Sequence, residues 1–483
     1  MPDPLVVGFD LDMTLIDSRP GIKRVWEELS AATGVYVDSD LAVSRLGPPL
    51  EAELANWVPA DEIETFVGHY RALYPDHAIT GSVALPGVAE ALAAVRGVRG
   101  RSVVVSAKHE RHVRHHVDHL GLDVDEVVGG LWGVGKGDAL REHSAAIYVG
   151  DHVHDVEGAR AAGAVAVAVA TGPCSVDELS AAGADVVLTD LRDFPEWFGE
   201  HVLGARLTTL ERNLARLGSM VVAFSGGADS AFLLAAATRV LGPDRVAAAT
   251  AVSDSLPTAE QRAATAFAAS LGVRQLTPST HEMERAGYRA NAGDRCYFCK
   301  AELLDVLSPL ADRLGFAAVA TGTNADDAIA GFRPGIRAAS ERGAVTPLLH
   351  AGLTKTQIRE LSRRWGLPTW DKPAAACLSS RIAYGIEVTP GRLARVERAE
   401  VSLRCLLAAY DVEVADLRVR DLGDRGRIEV DASALATVDA DSMLAAACVR
   451  AVVEAGFEDA FVDPQGFRSG AMNERLVQPE LFR

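Results

Sequence analysis

The sequence of 483 residues is poor in cysteine, in long apolar runs and in positive charge. Six scattered cysteines are too few for a disulfide scaffold. The longest apolar runs, such as AGAVAVAVA at 162–170, are far too short to cross a bilayer. A net charge of -18 argues against a surface that binds nucleic acid, because such a surface is expected to carry clustered Lys and Arg. Because no basic stretch with a leader-like apolar segment stands at the N-terminus, we expect a cytoplasmic enzyme.

The chain does contain two series of short, strand-like apolar runs that alternate with helical stretches. Its length exceeds one ordinary core, so two or three domains are expected. Typical buried parallel strands are LVVGFD, SVVVSA, AAIYVGD, VAVAVAT and ADVVLTD in the first half, and SMVVAFS, RVAAATAVS and AAVATGT in the second. We predict an α/β protein with two parallel-sheet domains, 1–203 and 204–385, and a small C-terminal α+β domain, 386–483.

Two aspartates follow the first strand-like run, in GFDLDMTL at 8–15. Their spacing of two places Asp10 and Asp12 on the same side of an extended segment. One carboxylate there can attack phosphorus while the other exchanges a proton with the leaving group. YVGDHVHD supplies two more acids after a strand, Asp151 and Asp155. The combined negative charge predicts Mg²⁺ bound by all four aspartates.

Two side chains from other strand ends complete this pattern. VVVSAK offers Ser106 and GVGKGDAL offers Lys136 to hold phosphoryl oxygens. A single aspartate after a strand is more often a turn residue or a helix cap. All four motifs in this order, however, resemble those of the haloacid-dehalogenase superfamily of phosphohydrolases, over roughly residues 4–200.

This resemblance implies a Rossmann-like core and a role for each motif. Asp10 would be the nucleophile and Asp12 the general acid/base. The helical stretch at about 17–84 would be a cap that selects the substrate, which the sequence does not identify.

A glycine-rich loop without lysine, AFSGGADSA at 223–231, follows the first strand-like run of the second half. Glycines let backbone N–H groups turn toward an anion, and the dipole of the helix that starts there favours negative charge. A Walker-type loop adds a lysine because it transfers the γ-phosphoryl group, so the absence of lysine indicates that the held group leaves as a unit. SGGxDS resembles the PP-loop of ATP pyrophosphatases, which cut ATP between the α- and β-phosphates. The residues implied in ATP binding are Ser225, Gly226, Gly227, Asp229 and Ser230.

Three of the cysteines have unusual neighbours. DRCYFCK places Cys296 and Cys299 three apart, and KPAAACLSSRIAYG places Cys377 downstream. A CxxC pair alone fits a metal site, a redox pair or chance. The other three cysteines have plain apolar or helical surroundings and are predicted to be buried small hydrophobes: Cys174, Cys405 and Cys448.

The second half resembles the LarE family of ATP-dependent sulfur transferases over about 205–480, in the stretches WDKPAAACLSSRIAYG, GFRSGAMNE, GLTKTQIRELSRRWGLPTWDKP and LRVRDLGDRGRIEV. That family makes the nickel-pincer nucleotide cofactor. It adenylates a carboxylate of a pyridinium dicarboxylate mononucleotide and replaces an oxygen with sulfur. The resemblance implies that Cys377 bears the sulfur. Some members sacrifice the sulfur of this cysteine, and others carry the extra CxxC pair and resemble iron–sulfur enzymes.

The CxxC pair favours the second version. Cys296, Cys299 and Cys377 would then ligate a [4Fe–4S] cluster and leave one iron open for a labile sulfide. The alternative stays open that Cys377 acts alone while Cys296 and Cys299 are structural.

The resemblance assigns further residues to nucleotide and metal. Arg418 and Arg420 in RVR share one side of a predicted strand and suit a substrate phosphate, although a salt-bridged strand face has the same pattern. The other assignments are Arg381 to an anion, Glu400 in RVERAE to a metal or the substrate, Gly322 in TGTNADD to the nucleotide, and Asp326 and Asp327 to Mg²⁺. The following AIAGFRPG departs from the acidic, aromatic stretch of the family, which leaves metal ligands there open.

Two other functions stay open on the sequence alone. PP-loop enzymes with CxxC and a cluster also thiolate tRNA, although the acidic charge balance and the lack of a recognisable RNA-binding module argue against it here. The other alternative is a non-catalytic assembly protein that binds nucleotide at both sites.

We expect ATP, Mg²⁺ and a [4Fe–4S] cluster as cofactors and a small nucleotide as substrate. We also expect a homo-oligomer, no membrane partner and transient contact with other enzymes of nickel-pincer cofactor synthesis. The phosphohydrolase half could remove pyrophosphate that the second half releases, could trim a nucleotide, or could be an unrelated fusion partner.

Overall fold

A computed structural model of the chain describes residues 4–329, 334–373 and 376–468. It divides into two compact units, Met1–Val202 and Leu203–Arg483. Each unit has its own parallel sheet and its own buried apolar clusters. The predicted α/β fold class is therefore confirmed.

The first unit is built on a six-stranded parallel sheet. The strands of the unit are β1 Val6–Phe9, β2 Ile16–Asp17, β3 Val83–Ala84, β4 Arg101–Val105, β5 Glu126–Val128, β6 Ala145–Gly150, β7 Val165–Val169 and β8 Val186–Leu188. The order in the sheet is β5-β4-β1-β6-β7-β8. Every residue of β1 is buried, because helices cover both faces of the sheet. Strand β1 pairs with β4 on one side and with β6 on the other, so the strand order reverses there. A doubly wound sheet opens a crevice at its carboxyl edge at such a switch point.

Four helices between β2 and β3 form a separate small core. The helices of the first unit are α1 Arg19–Thr33, α2 Ser39–Ser44, α3 Leu50–Leu54, α4 Ile63–His77, α5 Val88–Gly97, α6 Glu110–Leu120, α7 Val134–Glu142, α8 Val153–Ala162 and α9 Val176–Ala181, and α10 Phe194–Leu217 contains the division between the units. Trp26 of α1 packs against Tyr70 of α4, with ring centroids 4.7 Å apart. We call the segment α1–α4 the cap.

The second unit contains a four-stranded parallel sheet and a separate three-stranded sheet. The strands are β9 Met220–Ala223, β10 Val246–Ala249, β11 Arg274–Leu276, β12 Val319–Thr321, β13 Leu417–Asp421, β14 Arg425–Val430 and β15 Asp459–Val462. The order is β11-β10-β9-β12 in the first sheet and β13-β14-β15 in the second. Here the switch point is β9, which pairs with β10 on one side and β12 on the other.

The helices of the second unit cover both sheets. They are α11 Ala228–Leu241, α12 Thr258–Ser270, α13 Ala286–Arg289, α14 Arg295–Leu314, α15 Pro334–Glu341, α16 Pro347–His350, α17 Lys355–Arg364, α18 Pro390–Ala409, α19 Ala432–Ala440 and α20 Ser442–Glu454. Helices α18 and α20 pack on the small sheet in a cluster that includes Leu403, Val419 and Val452.

The structure also corrects the expectation for two cysteines and adds one strand to each parallel sheet. Cys448 is buried as predicted, but Cys405 is exposed and Cys174 is only partly buried, so the prediction is wrong for Cys405 and is not met in full at Cys174. The sequence does not predict β5 or β11, since each has three residues and shows little periodicity.

Membrane-spanning helices were sought over the described ranges. None of these helices alone has the length and apolarity to cross a bilayer. Helices α19 and α20 together pass by length and composition, but the chain bends by 111° between them.

Candidate functional sites

The first candidate site lies at the carboxyl end of β1, at the switch point of the first sheet. Asp10 directly follows this strand, and its backbone N–H donates to the carbonyl of Val149 on β6 at 2.8 Å. Asp10, Asp151 and Asp155 are buried, and their ligand oxygen atoms all lie within 4.8 Å of one another. Asp151 accepts a hydrogen bond from Thr14 Oγ1 at 2.8 Å. Three of the four predicted aspartates therefore meet at one point.

The three carboxylates repel one another. Burial raises the pKa of Asp10 to about 7, although the charge of Lys136 opposes this shift. Burial also raises the pKa of Asp151 well above its ordinary value, and the charges of Asp155 and Asp10 add to the effect. A divalent cation would relieve this repulsion, and carboxylate oxygens are the ligands that Mg²⁺ prefers. The donor set fits Mg²⁺, which Asp10, Asp151 and Asp155 would hold.

Lys136 is the buried cation of this site. Its Nζ donates to Asp10 Oδ1 at 2.8 Å, to Asp155 Oδ1 at 2.6 Å and to the Tyr148 hydroxyl at 3.0 Å. Ser106, also buried, accepts a hydrogen bond at Oγ from the backbone N–H of Lys108 at 3.3 Å. Lys136 thus neutralises part of the carboxylate charge and fixes the direction of two of the three acids.

The Asp12 carboxylate lies outside this group of three and pairs with a different cation. Its Oδ1 accepts a hydrogen bond from Lys108 Nζ at 2.6 Å and another from Ser18 Oγ. Burial raises the pKa of Asp12, but the charge and hydrogen bond of Lys108 outweigh it, so the pKa is lowered overall. Lys108 is not among the residues predicted from the sequence, although the motif VVVSAK ends on this residue.

The cap covers both aspartates. A cavity of about 140 Å³ opens on Asp10 and Asp12 and is lined by Trp26, Arg45, Tyr70 and Tyr74 of the cap and by Lys108, His112 and Trp132 of the core. The Tyr74 hydroxyl lies 2.9 Å from Nε2 of His116, and its ring stacks on His112 with centroids 4.2 Å apart. The cap therefore closes the site on the side opposite the sheet.

The second candidate site lies at the carboxyl end of β9, where the glycine-rich loop leads into α11. Gly226 has φ 73°, a left-handed conformation that favours glycine. Ser225 Oγ lies 3.2 Å from Ser230 Oγ, which donates to the carbonyl of Gly227 at 3.1 Å. Gly227 is the N-cap of α11, and no described side chain caps this end. The first N–H groups of α11 are thus available to an anion.

Two neighbours shape this loop. A Cβ at Gly322, which follows β12, would lie 2.8 Å from the backbone nitrogen of Ser230. The close packing of the end of β12 against the start of α11 therefore requires glycine at this position. Lys372 Nζ donates to the carbonyl of Gly226 at 2.9 Å and to Glu260 Oε2 at 2.7 Å. The loop has no lysine of its own, but the fold brings one to it, which the sequence analysis missed.

Asp229 is the half-buried acid of the second site. Burial raises its pKa, with Lys355 opposing and Asp327 adding to the shift. Its Oδ1 is buried and has no hydrogen-bond partner in the described part of the chain. An unpartnered buried acceptor costs free energy, so a ligand or cation at this oxygen would be favourable.

A cavity of about 400 Å³ joins this loop to two of the three selected cysteines. It is lined by Ser225, Gly227, Asp229 and Ser230 of the loop, by Gly322 and Asp327 after β12, and by Cys299, Lys300 and Cys377. This volume lies in the usual range for small-molecule sites, about 300–1,000 Å³. Cys296 is exposed and lies one helical turn from Cys299 on α14.

The three cysteines lie within electrostatic reach of one another. Burial raises the pKa of the Cys299 thiol well above its ordinary value, and the charges of Cys377 and Cys296 add to this shift. The Cys377 segment is anchored, because the N–H of Leu378 donates to the carbonyl of Ser255 at 2.9 Å. Thiolates are the donor set of iron–sulfur clusters, and Cys299 and Cys377 share one cavity, whereas Cys296 is exposed and is not part of its lining.

The arginines near Cys377 are engaged with glutamates. Arg381 Nε donates to Glu400 Oε1 at 2.9 Å, and its NH1 donates to the carbonyl of Cys377 at 3.0 Å. Arg420 Nε donates to Glu429 Oε2 at 2.8 Å. Arg420 therefore has the salt-bridged arrangement that the sequence left open as an alternative. Glu400, which was assigned to a metal or the substrate, forms an ion pair with Arg381.

The remaining predicted residues are placed as follows. Arg418 is mostly buried and donates to the carbonyl of Leu417 at 2.8 Å. Asp326 Oδ2 accepts from the N–H of Lys355 at 2.8 Å, and Asp327 Oδ2 accepts from the N–H of Asn324 at 3.1 Å. Three predicted motifs lie partly outside the described residues: AIAGFRPG at 330–333, KPAAAC at 374–375 and GFRSGAMNE from 469 onward.

Comparison with known families matches the first unit. The family described as haloacid dehalogenase-like hydrolase matches residues 7–160, and the HAD-hydrolase-like family matches residues 136–194. Tyrosine-protein kinase PtkA of Mycobacterium tuberculosis is 31% identical over 198 residues, which cover 38% of this chain and 68% of that protein. In the solved structure of haloacid dehalogenase-like family protein SP0104 from Streptococcus pneumoniae, the similarity covers 41% of this chain and 100% of that one, at 23% identity and a TM-score of 0.37.

Two further relatives cover more than half of the chain. The protein slr1717 of Synechocystis is 40% identical over 277 residues, which are 57% of this chain and 100% of that protein. Pyridinium-3,5-bisthiocarboxylic acid mononucleotide synthase of Lactiplantibacillus plantarum is 34% identical over 280 residues, 58% of this chain and 98% of that protein.

Proposed function

Because the chain belongs to the haloacid dehalogenase superfamily over residues 7–194 and to the LarE-type family of the pyridinium-3,5-bisthiocarboxylic acid mononucleotide synthase over 58% of its length, we propose that it joins a Mg²⁺-dependent phosphohydrolase to an ATP-dependent sulfur transferase. The observation that carries the sulfur-transferase part is the shared cavity of the Ser-Gly-Gly loop and Cys377. We further propose that its substrate is a pyridinium dicarboxylate mononucleotide, a precursor of the nickel-pincer cofactor.

The first step in the second unit is adenylation. A carboxylate oxygen of the substrate attacks the α-phosphorus of ATP, the bond from that phosphorus to the bridging oxygen breaks, and pyrophosphate leaves. The uncapped N–H groups at the start of α11 stabilise the charge that develops on the departing group. Lys372, held on the Gly226 carbonyl, adds positive charge beside the loop.

Sulfur transfer follows in the same cavity. Sulfur at Cys377 attacks the activated acyl carbon, a C–S bond forms, the C–O bond to AMP breaks, and AMP leaves. If the sulfur is that of Cys377 itself, its Cα proton must then pass to a base while its Cβ–S bond breaks, which releases the product as a thiocarboxylate and leaves dehydroalanine. A [4Fe–4S] cluster held by Cys296, Cys299 and Cys377 would, when bound, supply a labile sulfide. Arg381 positions the segment by holding the Cys377 carbonyl.

The first unit performs phosphoryl transfer to an aspartate. A carboxylate oxygen of Asp10 attacks phosphorus, the bond to the leaving oxygen breaks, and Asp12 supplies a proton to that oxygen. Asp12 then takes a proton from the water that attacks the aspartyl phosphate, which releases phosphate and restores Asp10. Lys136 holds the nucleophile in place and offsets its charge.

An anaerobic turnover experiment tests the sulfur transferase. The purified chain is incubated with ATP, Mg²⁺ and the pyridinium dicarboxylate mononucleotide. The masses of the product and of the protein are then measured by mass spectrometry. The expected product has sulfur in place of one carboxylate oxygen and appears together with AMP. An iron-containing protein of unchanged mass indicates the cluster version, and loss of sulfur at Cys377 indicates the sacrificial version.

The same experiment separates the alternatives. With tRNA added to the incubation, a tRNA that gains sulfur while the mononucleotide does not would assign the chain to tRNA thiolation. Binding of ATP at both sites without any product would favour the non-catalytic assembly protein.

A further inference from the structure

The cavity of the first unit is much smaller than that of the second. It measures about 140 Å³, against about 400 Å³ beside the Ser-Gly-Gly loop. An engineered protein cavity of about 150 Å³ holds a molecule of the size of benzene. Pyrophosphate and two-carbon phosphate esters are of comparable bulk, whereas a nucleotide adds a ribose and a base.

The cavity also has hydrogen-bond donors for a second anionic group, besides the phosphoryl group that Asp10 attacks. Arg45 of the cap lines it, and the buried Nε of Arg45 has no hydrogen-bond partner among the described residues. Lys108 of the core also lines the cavity, is 8% exposed at its side chain and pairs with Asp12. Arg45 of the cap and Lys108 of the core thus both line the cavity that the non-transferred part of a substrate would occupy.

The acidic side chains of the cap that line the cavity do not cancel its preference for a second anion. Glu53 accepts from Arg45 NH2 at 2.6 Å and from Trp57 Nε1 at 2.8 Å. Glu51 pairs with Arg71 at 3.1 Å. Both carboxylates are therefore already bound by donors of the cap, while Arg45 Nε has a hydrogen bond left to give.

We propose that the first unit hydrolyses compact phosphate compounds that carry a second anionic group close to the scissile phosphorus, and that inorganic pyrophosphate released by adenylation in the second unit is the one it serves. This inference rests on the proposed phosphohydrolase function. Asp10 attacks one phosphorus, the bridging P–O bond breaks, and the second phosphate leaves with the proton from Asp12. Water then cleaves the aspartyl phosphate, so one pyrophosphate and one water give two phosphates. Removal of pyrophosphate would draw the reversible adenylation forward.

A panel of four phosphate compounds tests the proposal on the full chain with Mg²⁺ and without ATP. Pyrophosphate and 2-phosphoglycolate carry a second anion, 2-hydroxyethyl phosphate is a neutral match for phosphoglycolate, and AMP is large. We expect kcat/KM for 2-phosphoglycolate to exceed that for 2-hydroxyethyl phosphate about tenfold or more, the effect of one charge-assisted hydrogen bond. Pyrophosphate should be hydrolysed fastest and AMP slowest.

A pair of cap variants locates the effect. Arg45→Gln should lower kcat/KM for pyrophosphate about tenfold and reduce the ratio between the phosphoglycolate and hydroxyethyl compounds. Arg24→Gln, an exposed position on α1 of the same cap, removes the same charge outside the cavity and should preserve that ratio.

Three results would overturn the proposal: AMP as the best substrate, equal rates for the matched pair, or an equal loss for all compounds in Arg45→Gln. Faster hydrolysis of 2-phosphoglycolate than of pyrophosphate would overturn the link to the second unit. Failure of the proposed function itself looks different, since no phosphate compound would then be hydrolysed in a manner abolished by Asp10→Asn.

Discussion

The first site is built mainly from charged side chains, and the second mainly from backbone groups. At the carboxyl end of β1, three carboxylates and Lys136 crowd into one buried point that fits a divalent cation. At the carboxyl end of β9, Gly226 and the uncapped start of α11 offer N–H groups, with Lys372 supplied from outside the loop. Side-chain charge suits a reaction in which the protein itself becomes phosphorylated. Backbone dipoles suit a group that is held only until it leaves.

The largest effect is expected from removal of the nucleophile. Asp10→Asn keeps the size of the side chain but removes the attacking oxygen, so phosphate hydrolysis by the full chain should fall at least about 10³-fold. AMP formation should continue, because the second site does not use this residue. Asp177→Asn, an exposed change on α9, is the matched control. An equal loss of both activities would break the separation of the two sites.

The motifs of the first site could be predicted because each follows a strand, and the carboxyl ends of parallel strands meet at one edge. Lys108 and Arg45 could not, since their roles depend on how the cap packs over the sheet. At the second site Lys372 stands 146 residues after Gly226, and no local pattern connects the two. The role of Arg418 and Arg420, which share one face of a predicted strand, stayed open for a physical reason. Alternation along a strand fixes the face on which a side chain lies but not its partner, which is Glu429 for Arg420.

Removal of the sulfur-bearing thiol should divide the second reaction into its two halves. Cys377→Ala should abolish the thiolated product, while AMP formation stays within about threefold of wild type because the Ser-Gly-Gly loop is intact. Mass spectrometry of the product and chromatography of the nucleotides measure the two halves. Cys405→Ala, at an exposed cysteine of α18, should change neither. Thiolated product from Cys377→Ala would contradict the role of this residue.

A smaller loss of activity is expected when Asp229, the half-buried acid of the second site, is replaced. Asp229→Ala removes a buried oxygen that faces the cavity without a partner, and AMP formation should fall about 10²-fold. The Asp10→Asn background keeps any released pyrophosphate from being consumed during the assay. Asp244→Ala, exposed after α11, serves as the control. Unchanged pyrophosphate release would show that Asp229 does not act in this site, and absence of release from the Asp10→Asn chain itself would favour the non-catalytic alternative.

The smallest effect is thermal and tests the crowding of the first site. Asp151→Asn removes one of three mutually repelling carboxylates, so without Mg²⁺ the unfolding of the first unit should shift upward by about 2–4 °C. The same variant should lose most of the stabilisation that Mg²⁺ gives the wild type. Calorimetry with EDTA and with Mg²⁺ measures both shifts, and Asp177→Asn should behave as wild type. A downward shift without Mg²⁺ would show that Asp151 is held by hydrogen bonds that outweigh the repulsion.

The fate of ATP at the Ser-Gly-Gly loop tests the central claim most directly. Phosphorus NMR of the Asp10→Asn chain, incubated with ATP, Mg²⁺ and the pyridinium dicarboxylate mononucleotide, identifies the nucleotide and phosphate products without interference from the first site. The account predicts AMP and pyrophosphate in equal amounts. ADP and phosphate, with no AMP, would contradict it.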